Sequence, residues 1–215
     1  MEIAIEPKRC ALFIYDMTES VVRVGGRHYS PEAVKALPRL QSLVEVCHDR
    51  KIPVIHGISH PPRPGPSATT ACSELNTPGI DQVIKCPSSG GFYRSPLARI
   101  LRKRDRNIVL IAGTTMHRGI TTCAREAVLR GFRPVLIRDA IFGRDVPDLN
   151  GGTILYAEVA RVHLAAMAQY LAGVVTIEET VAALQSQNGA RRKNARNPGS
   201  TADLPTSKRK KFSRR

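Results

Sequence analysis

Three places in this chain put a charged or polar feature at the end of an apolar run. Asp16 ends CALFIY (Cys10 to Tyr15), Lys85 ends QVI (Gln82 to Ile84), and a polar turn follows Gly113 after the run Ile108 to Ala112. If these runs are parallel strands of one open sheet, their carboxyl ends share a rim, and that rim is where ligands bind. A carboxylate and an ammonium facing each other there can shift each other's pKa and act as acid, base or charge stabiliser. Each residue also has an ordinary alternative: an Asp ending a strand can cap a turn, and a Lys can simply be solvated.

The surrounding pattern supplies such a sheet. Asn107 to Ala140 reads as strand, turn, helix, strand, with the helix starting near Arg118 or Gly119 and stopping at Gly131 before Val135 to Ile137. The first helical N–H groups of such a unit point at the ligand. Pro53 to Ile58 predicts a second strand, and Val174 to Ile177 a last one. Ser30-Pro31 and Ser95-Pro96 each place an N-cap before a first-turn Pro, and Pro38 predicts a kink. Helices are predicted from about Ile154 to Leu171 and from Glu178 to Leu184. Six strands alternating with helices or long crossovers predict an α/β protein, a three-layer α/β/α fold around a six-stranded parallel sheet. The Pro-, Ser- and Thr-rich loop after Ile58 is long enough to be a lid or a partner-facing excursion.

Composition assigns the chain to one domain, residues 1–186, followed by a basic tail, 187–215, expected to be disordered. Of the formal charge of +15, the tail holds ten Lys and Arg against one acid, which leaves +6 for the body. The clusters RRKNAR and SKRKKFSRR have the form of a bipartite nuclear signal or a nucleic-acid arm; a solubilising extension is the other reading. No run approaches the roughly 20 apolar residues of a membrane span, so a cytoplasmic protein without membrane contact is expected, with a nuclear location open through the basic tail if the source has a nucleus. Five scattered cysteines suggest neither a disulfide framework nor a zinc knuckle.

The ordered set ALFIYDM, VIKCPSSGGFYRSPL, VLIAGTTMHRGITTCAREAVLRGF, VLIRDA and GVVTIEE resembles the isochorismatase-like, or cysteine hydrolase, family over about residues 8 to 185. The amidase branch of that family uses an Asp, a Lys and a Cys, which fall by position on Asp16, Lys85 and Gly119. The nucleophile position is therefore glycine. Cys123, one helical turn further on, reads as a small buried residue, and Cys86 sits on the wrong element. True isochorismatases also carry Gly there, and Gly113, His117 and Gly119 reproduce their spacing.

The resemblance thus implies vinyl-ether hydrolysis without a covalent nucleophile, releasing pyruvate from isochorismate or a related small anionic metabolite. Asp16 would be the general acid and Lys85 the electrostatic partner. Thr114, Thr115, His117, Arg118, Phe92 and Arg94 form the implied substrate-binding set, and a cis peptide is implied at Thr114–Thr115. Ser59 and Thr18 stand where the family carries amide side chains, and the spacing from Lys85 to Phe92 is one residue longer. His56 and His60 have no accompanying Asp in the strand-end segment, so neither metal nor other cofactor is expected. The family also implies a homo-oligomer. Two alternatives stay open: a non-catalytic member that acts as a binding or interaction protein, and an amidase-type hydrolase with a different nucleophile.

Overall fold

The computed structural model describes residues 4–59 and 69–186. In chain order its elements are β1 (Cys10–Tyr15), α1 (Glu19–Val22), α2 (Pro31–Asp49), β2 (Val54–Ser59), β3 (Gln82–Cys86), α3 (Leu97–Lys103) and β4 (Ile108–Thr114). A single π-helical turn, Met116–Ile120, leads into α4 (Thr121–Leu129). There follow β5 (Arg133–Phe142), the two-residue strands β6 (Val146–Pro147) and β7 (Thr153–Ile154), α5 (Tyr156–Tyr170), β8 (Gly173–Val175) and α6 (Ile177–Gln185). Six strands form one parallel sheet in the order β3-β2-β1-β4-β5-β8, while β6 and β7 pair separately as an antiparallel hairpin.

Central strands of such a sheet are covered on both faces, which is why their sequences are nearly continuous apolar runs. Along β1 the side chains alternate between two cores: Leu12 and Ile14 pack with α2 and α6, whereas Ala11, Phe13 and Tyr15 pack with α3 and α4. The helix starts follow from local chemistry. The Ser30 side chain accepts from the Ala33 N–H at 3.2 Å, and Thr176 with Glu179 closes a capping box on α6. Pro38 lies inside α2, as its position predicts.

The largest departure from expectation is at the turn after β4. The sequence pattern predicts an α-helix from Arg118 or Gly119, but the Ile120 N–H bonds the Thr115 carbonyl at 3.2 Å, which closes a wider ring before α4 begins. Strand β3 also runs through Lys85 to Cys86 rather than closing before it. The hairpin β6–β7 carries no alternating pattern, so nothing in the sequence announces it. Residue His60 and the tail from residue 187 lie outside the described residues.

A buried polar cluster fixes the start of β3. Asp81 Oδ1 lies 2.7 Å from His48 Nε2, its Oδ2 accepts from the Thr77 N–H at 2.7 Å, and His56 Nε2 stands 3.5 Å from Oδ2. Burial pushes the Asp81 carboxyl up, but His56, the Thr77 N–H and His48 outweigh it and hold it below the usual carboxylate range. The stability it contributes is present above the ordinary carboxylate pKa and is lost as pH falls through the lowered one. Asp81→Ala strands these buried partners and is expected to cost about 3 kcal/mol in urea unfolding. A loss comparable to that of an exposed pair, below about 1 kcal/mol, would refute this role.

Candidate active site

The carboxyl ends of β1, β2 and β4 converge on Asp16. Its backbone adopts a left-handed conformation (φ 52°), which Asp tolerates better than most residues. Its N–H donates to the Gly57 carbonyl at 2.8 Å, and its carbonyl accepts from the Thr114 hydroxyl at 3.2 Å. Oδ1 accepts from the Ser59 N–H at 2.6 Å. The next turn can come this close only because residue 113 is glycine, with φ 114° and no Cβ: one there would lie 1.9 Å from the Tyr15 carbonyl oxygen. Burial raises the Asp16 carboxyl pKa, and the Ser59 hydrogen bonds and the Arg118 charge only partly oppose it.

Beside Asp16 opens a cavity of about 160 Å³. Thr114, Thr115, His117, Arg118 and Gly119 line it, joined by Arg27, His28, Ser89 and Arg144. The Thr114–Thr115 peptide is cis. Arg118 Nε donates to the Ser89 hydroxyl at 3.1 Å, which ties the loop after β3 to the π turn. Both histidines are held below the usual imidazole range, first by burial, then by nearby positive charge: Arg144, Arg27 and Arg118 act on His28, and His163, Arg144 and Arg118 on His117. The lining thus presents three permanent cations around one carboxyl biased toward its neutral form. That arrangement suits an anion that needs a proton.

The other residues expected at the site lie elsewhere. Lys85 is exposed on the edge strand β3 and is not part of the cavity lining, because Ile84 and Cys86 are the residues of that strand turned into the core. Phe92 is buried, packed on Phe132 with ring centroids 5.5 Å apart and with the Arg130 guanidinium over its face. Arg94 is exposed and also outside the lining. His56 is fully buried beside Asp81.

Arg27, His28, Ser89 and Arg144 escape sequence reasoning because they sit in loops without periodicity. A signal exists all the same: RVGGRHY and FGRD both follow strand ends that topology brings to this rim.

Gly119 faces Tyr15. A Cβ at residue 119 would lie 2.4 Å from Tyr15 Cε1 and 3.1 Å from the Thr114 carbonyl oxygen. The Tyr15 ring is 1% exposed and its hydroxyl donates to the Ser88 carbonyl at 3.1 Å. The Tyr15 ring therefore occupies the volume that any side chain at residue 119 would need. The five cysteines are all buried. Desolvation pushes Cys10, Cys47, Cys72 and Cys86 up to about 12 and Cys123 well above the ordinary thiol value.

The six-stranded parallel sheet places Asp16 as the one acid among the cavity-lining residues, and comparison with known proteins gives the family. The isochorismatase domain model matches residues 10–179, and the chain belongs to that family. It is 27% identical over 162 residues to enterobactin synthase component B of Escherichia coli, a match covering 66% of this chain and 56% of that protein. The chain thus spans little more than half the length of that relative. A secreted isochorismatase effector of Verticillium dahliae is 24% identical over 131 residues, covering 58% of this chain and 69% of the relative. Among solved structures, a cysteine hydrolase from Pseudomonas syringae superposes with a TM-score of 0.79 at 21% identity, covering 85% of this chain and 95% of that one. An isochorismatase from Pseudomonas putida gives 0.75 at 20% identity, covering 83% and 93%.

Proposed function

We propose that this protein is a cysteine-independent hydrolase that cleaves the vinyl ether of isochorismate, or of a closely related small anion, to release pyruvate. One observation carries the reading: a half-buried carboxyl whose pKa desolvation raises faces a cavity lined by Arg27, Arg118 and Arg144, with glycine at residue 119 in the same lining. Protonated Asp16 gives its proton to the terminal methylene carbon of the enol ether, leaving an oxocarbenium ion. Water adds to that cation and returns a proton to the Asp16 carboxylate. The hemiketal then collapses to pyruvate and the ring alcohol. Guanidinium groups hold the substrate carboxylates in place, which favours the reaction by positioning rather than by covalent bonding.

The test is incubation with isochorismate while pyruvate is followed. Arg144→Ala is expected to raise KM about tenfold to a hundredfold, the worth of a charged hydrogen bond. Comparing Arg118→Ala with Lys85→Ala decides which cation balances the substrate: a raised KM in the first and a retained one in the second is the expected result. KM unchanged in both arginine variants would refute the anion site.

The exposure of Lys85 favours one other reading, a non-catalytic member that keeps the anion cavity. Saturable isochorismate binding without pyruvate would establish it. The homo-oligomer implied by the family belongs to the proposal too. Helix α5 and the residue before it leave Leu155, Val162 and Tyr170 at 61%, 56% and 74% exposure, and sedimentation should find a species heavier than one chain. Among the described residues no helix is long and apolar enough to cross a membrane.

A further inference from the structure

The stretch that joins β3 to α3 has little of its own to hold it in place. Ser88-Ser89-Gly90-Gly91 carries no apolar side chain to bury. Yet Ser89 lines the cavity and accepts the hydrogen bond from Arg118 Nε at 3.1 Å. Tyr15 fixes the near end of the stretch at the Ser88 carbonyl, and the buried Phe92 ring follows its far end. The course of the chain between them is set by α4.

Arg118, Thr122 and Glu126 are spaced four apart through the π turn and α4, and residues at that spacing share one helix face. All three meet the stretch. Glu126 is half-buried, and its Oε2 accepts from the Phe92 N–H at 2.8 Å and from the Tyr93 N–H at 3.3 Å. Backbone N–H groups bound to a carboxylate make stronger hydrogen bonds than neutral pairs do. Between these bonds and Ser89 the backbone runs against the same face: a Cβ on Gly90 would lie 2.5 Å from Glu126 Oε2 and 2.7 Å from Thr122 Cγ2. The Thr122 hydroxyl also donates to the Arg118 carbonyl at 2.7 Å, which fixes the backbone that carries the Arg118 side chain.

We infer that Glu126 is a positioning residue for the anion site: by holding the stretch after β3 on α4 it sets Ser89, and through Ser89 the Arg118 guanidinium, over the cavity beside Asp16. The inference rests on the reading of Arg118 as an anion ligand and Asp16 as the acid. Arg118 is exposed, and a long exposed side chain has to lose rotamer freedom when it grips a ligand. The Ser89 bond takes that loss in advance. It is made by Nε, so the end of the guanidinium fork can still receive a carboxylate. Arg118 is also the charged group whose field acts on the Asp16 carboxyl, where it opposes burial. Tyr15, Cys86 and Cys123, the other titratable groups that feel Asp16, are all pushed up by burial and stay neutral. The place of Arg118 is therefore readable in the titration of Asp16.

The test compares full-chain Glu126→Ala, Glu126→Gln and Ser89→Ala with the unaltered protein, by carbon NMR titration of the Asp16 carboxyl and by pyruvate kinetics on isochorismate. With Arg118 released, its charge opposes burial less, so Asp16 is expected to titrate at higher pH in Glu126→Ala and Ser89→Ala, and the falling limb of kcat moves to higher pH with it. KM is expected to rise about threefold to tenfold, the cost of ordering one long side chain on binding. Gln at residue 126 keeps an oxygen for the Phe92 N–H and should restore both. In an Arg118→Ala background Glu126→Ala should shift Asp16 no further, which a general loosening of the fold would not reproduce. If Glu126→Ala unfolds, Glu126→Asp, whose carboxylate falls short of the two N–H groups, carries the same expectation. An Asp16 titration that stays in place in the folded residue-126 variant, or that moves equally once Arg118 is gone, overturns the inference. Because the titration needs no turnover, a shifted Asp16 with no pyruvate from any of the proteins supports the positioning role and removes only the vinyl-ether reading.

Discussion

Asp16→Asn is expected to lower pyruvate release by about a thousandfold, the middle to upper range for a general acid, and at the same time to raise the thermal midpoint. The change is nearly isosteric. Asn keeps a side-chain oxygen for the Ser59 N–H and is among the few residues at ease at φ 52°. What it lacks is the proton. Burial raises the Asp16 pKa in the folded protein, so the native state binds that proton more tightly than the unfolded chain does. The associated stability is fully present below the ordinary carboxylate pKa and is lost as pH rises through the raised one. As pH rises the native chain bears the cost of ionising a half-buried carboxyl, and the neutral amide does not. The rate should follow the same group: kcat of the unaltered chain falls as pH rises through the Asp16 pKa, while the residual rate of the Asn variant is flat. A variant that keeps its pyruvate release, or that loses stability at neutral pH, would remove Asp16 from the role of acid.

The parts of this molecule that recur periodically are legible in the amino-acid sequence alone. Runs such as CALFIY and NIVLIAG are apolar on both faces because central parallel strands are covered on both faces, and counting them gives the sheet. Asp16 is legible for the same reason, as the residue ending such a run. The bottom of the cavity can be drawn this way, but its walls cannot. Arg27 and Arg144 sit in loops whose course depends on which strand ends they span, and a loop arginine has no pattern to distinguish it from a solvated one. Lys85 shows the converse. Its place after an apolar run points to the rim, but β3 is an edge strand, and an edge strand has one face that need not turn inward. The pairing of Tyr15 with Gly119 is invisible in sequence because it joins distant segments of the chain, although both residues stand in motifs that carry the family resemblance.

That pairing yields the second large effect. Gly119→Cys would restore the residue type used by cysteine hydrolases, yet it is expected to destabilise the protein by about 1–3 kcal/mol, the cost of overpacking a filled core, and to leave it without thiol chemistry. The new Cβ would stand 2.4 and 2.8 Å from two carbons of the Tyr15 ring. The ring is constrained: it is 1% exposed, tethered through its hydroxyl to Ser88, and backed by Phe13 at 5.9 Å between centroids, although Tyr15 also borders the cavity. Tyr15→Ala alone opens a core cavity and costs about 3–5 kcal/mol, taking other large aromatic truncations as the guide. In the double variant the Cys side chain fills part of that space, so the combined loss should be smaller than the sum of the two, with a coupling of about 1 kcal/mol or more. Urea unfolding of the four proteins measures the coupling, and iodoacetamide labelling reports whether residue 119 becomes a reachable thiol only when Tyr15 is cut back. Strict additivity, or a fast-labelling thiol in Gly119→Cys alone, would show that the ring yields and that glycine is not required there. The expected non-additivity would instead mean that loss of the nucleophile is locked in by its neighbour on β1, and that chemistry at this rim has to pass through the proton on Asp16.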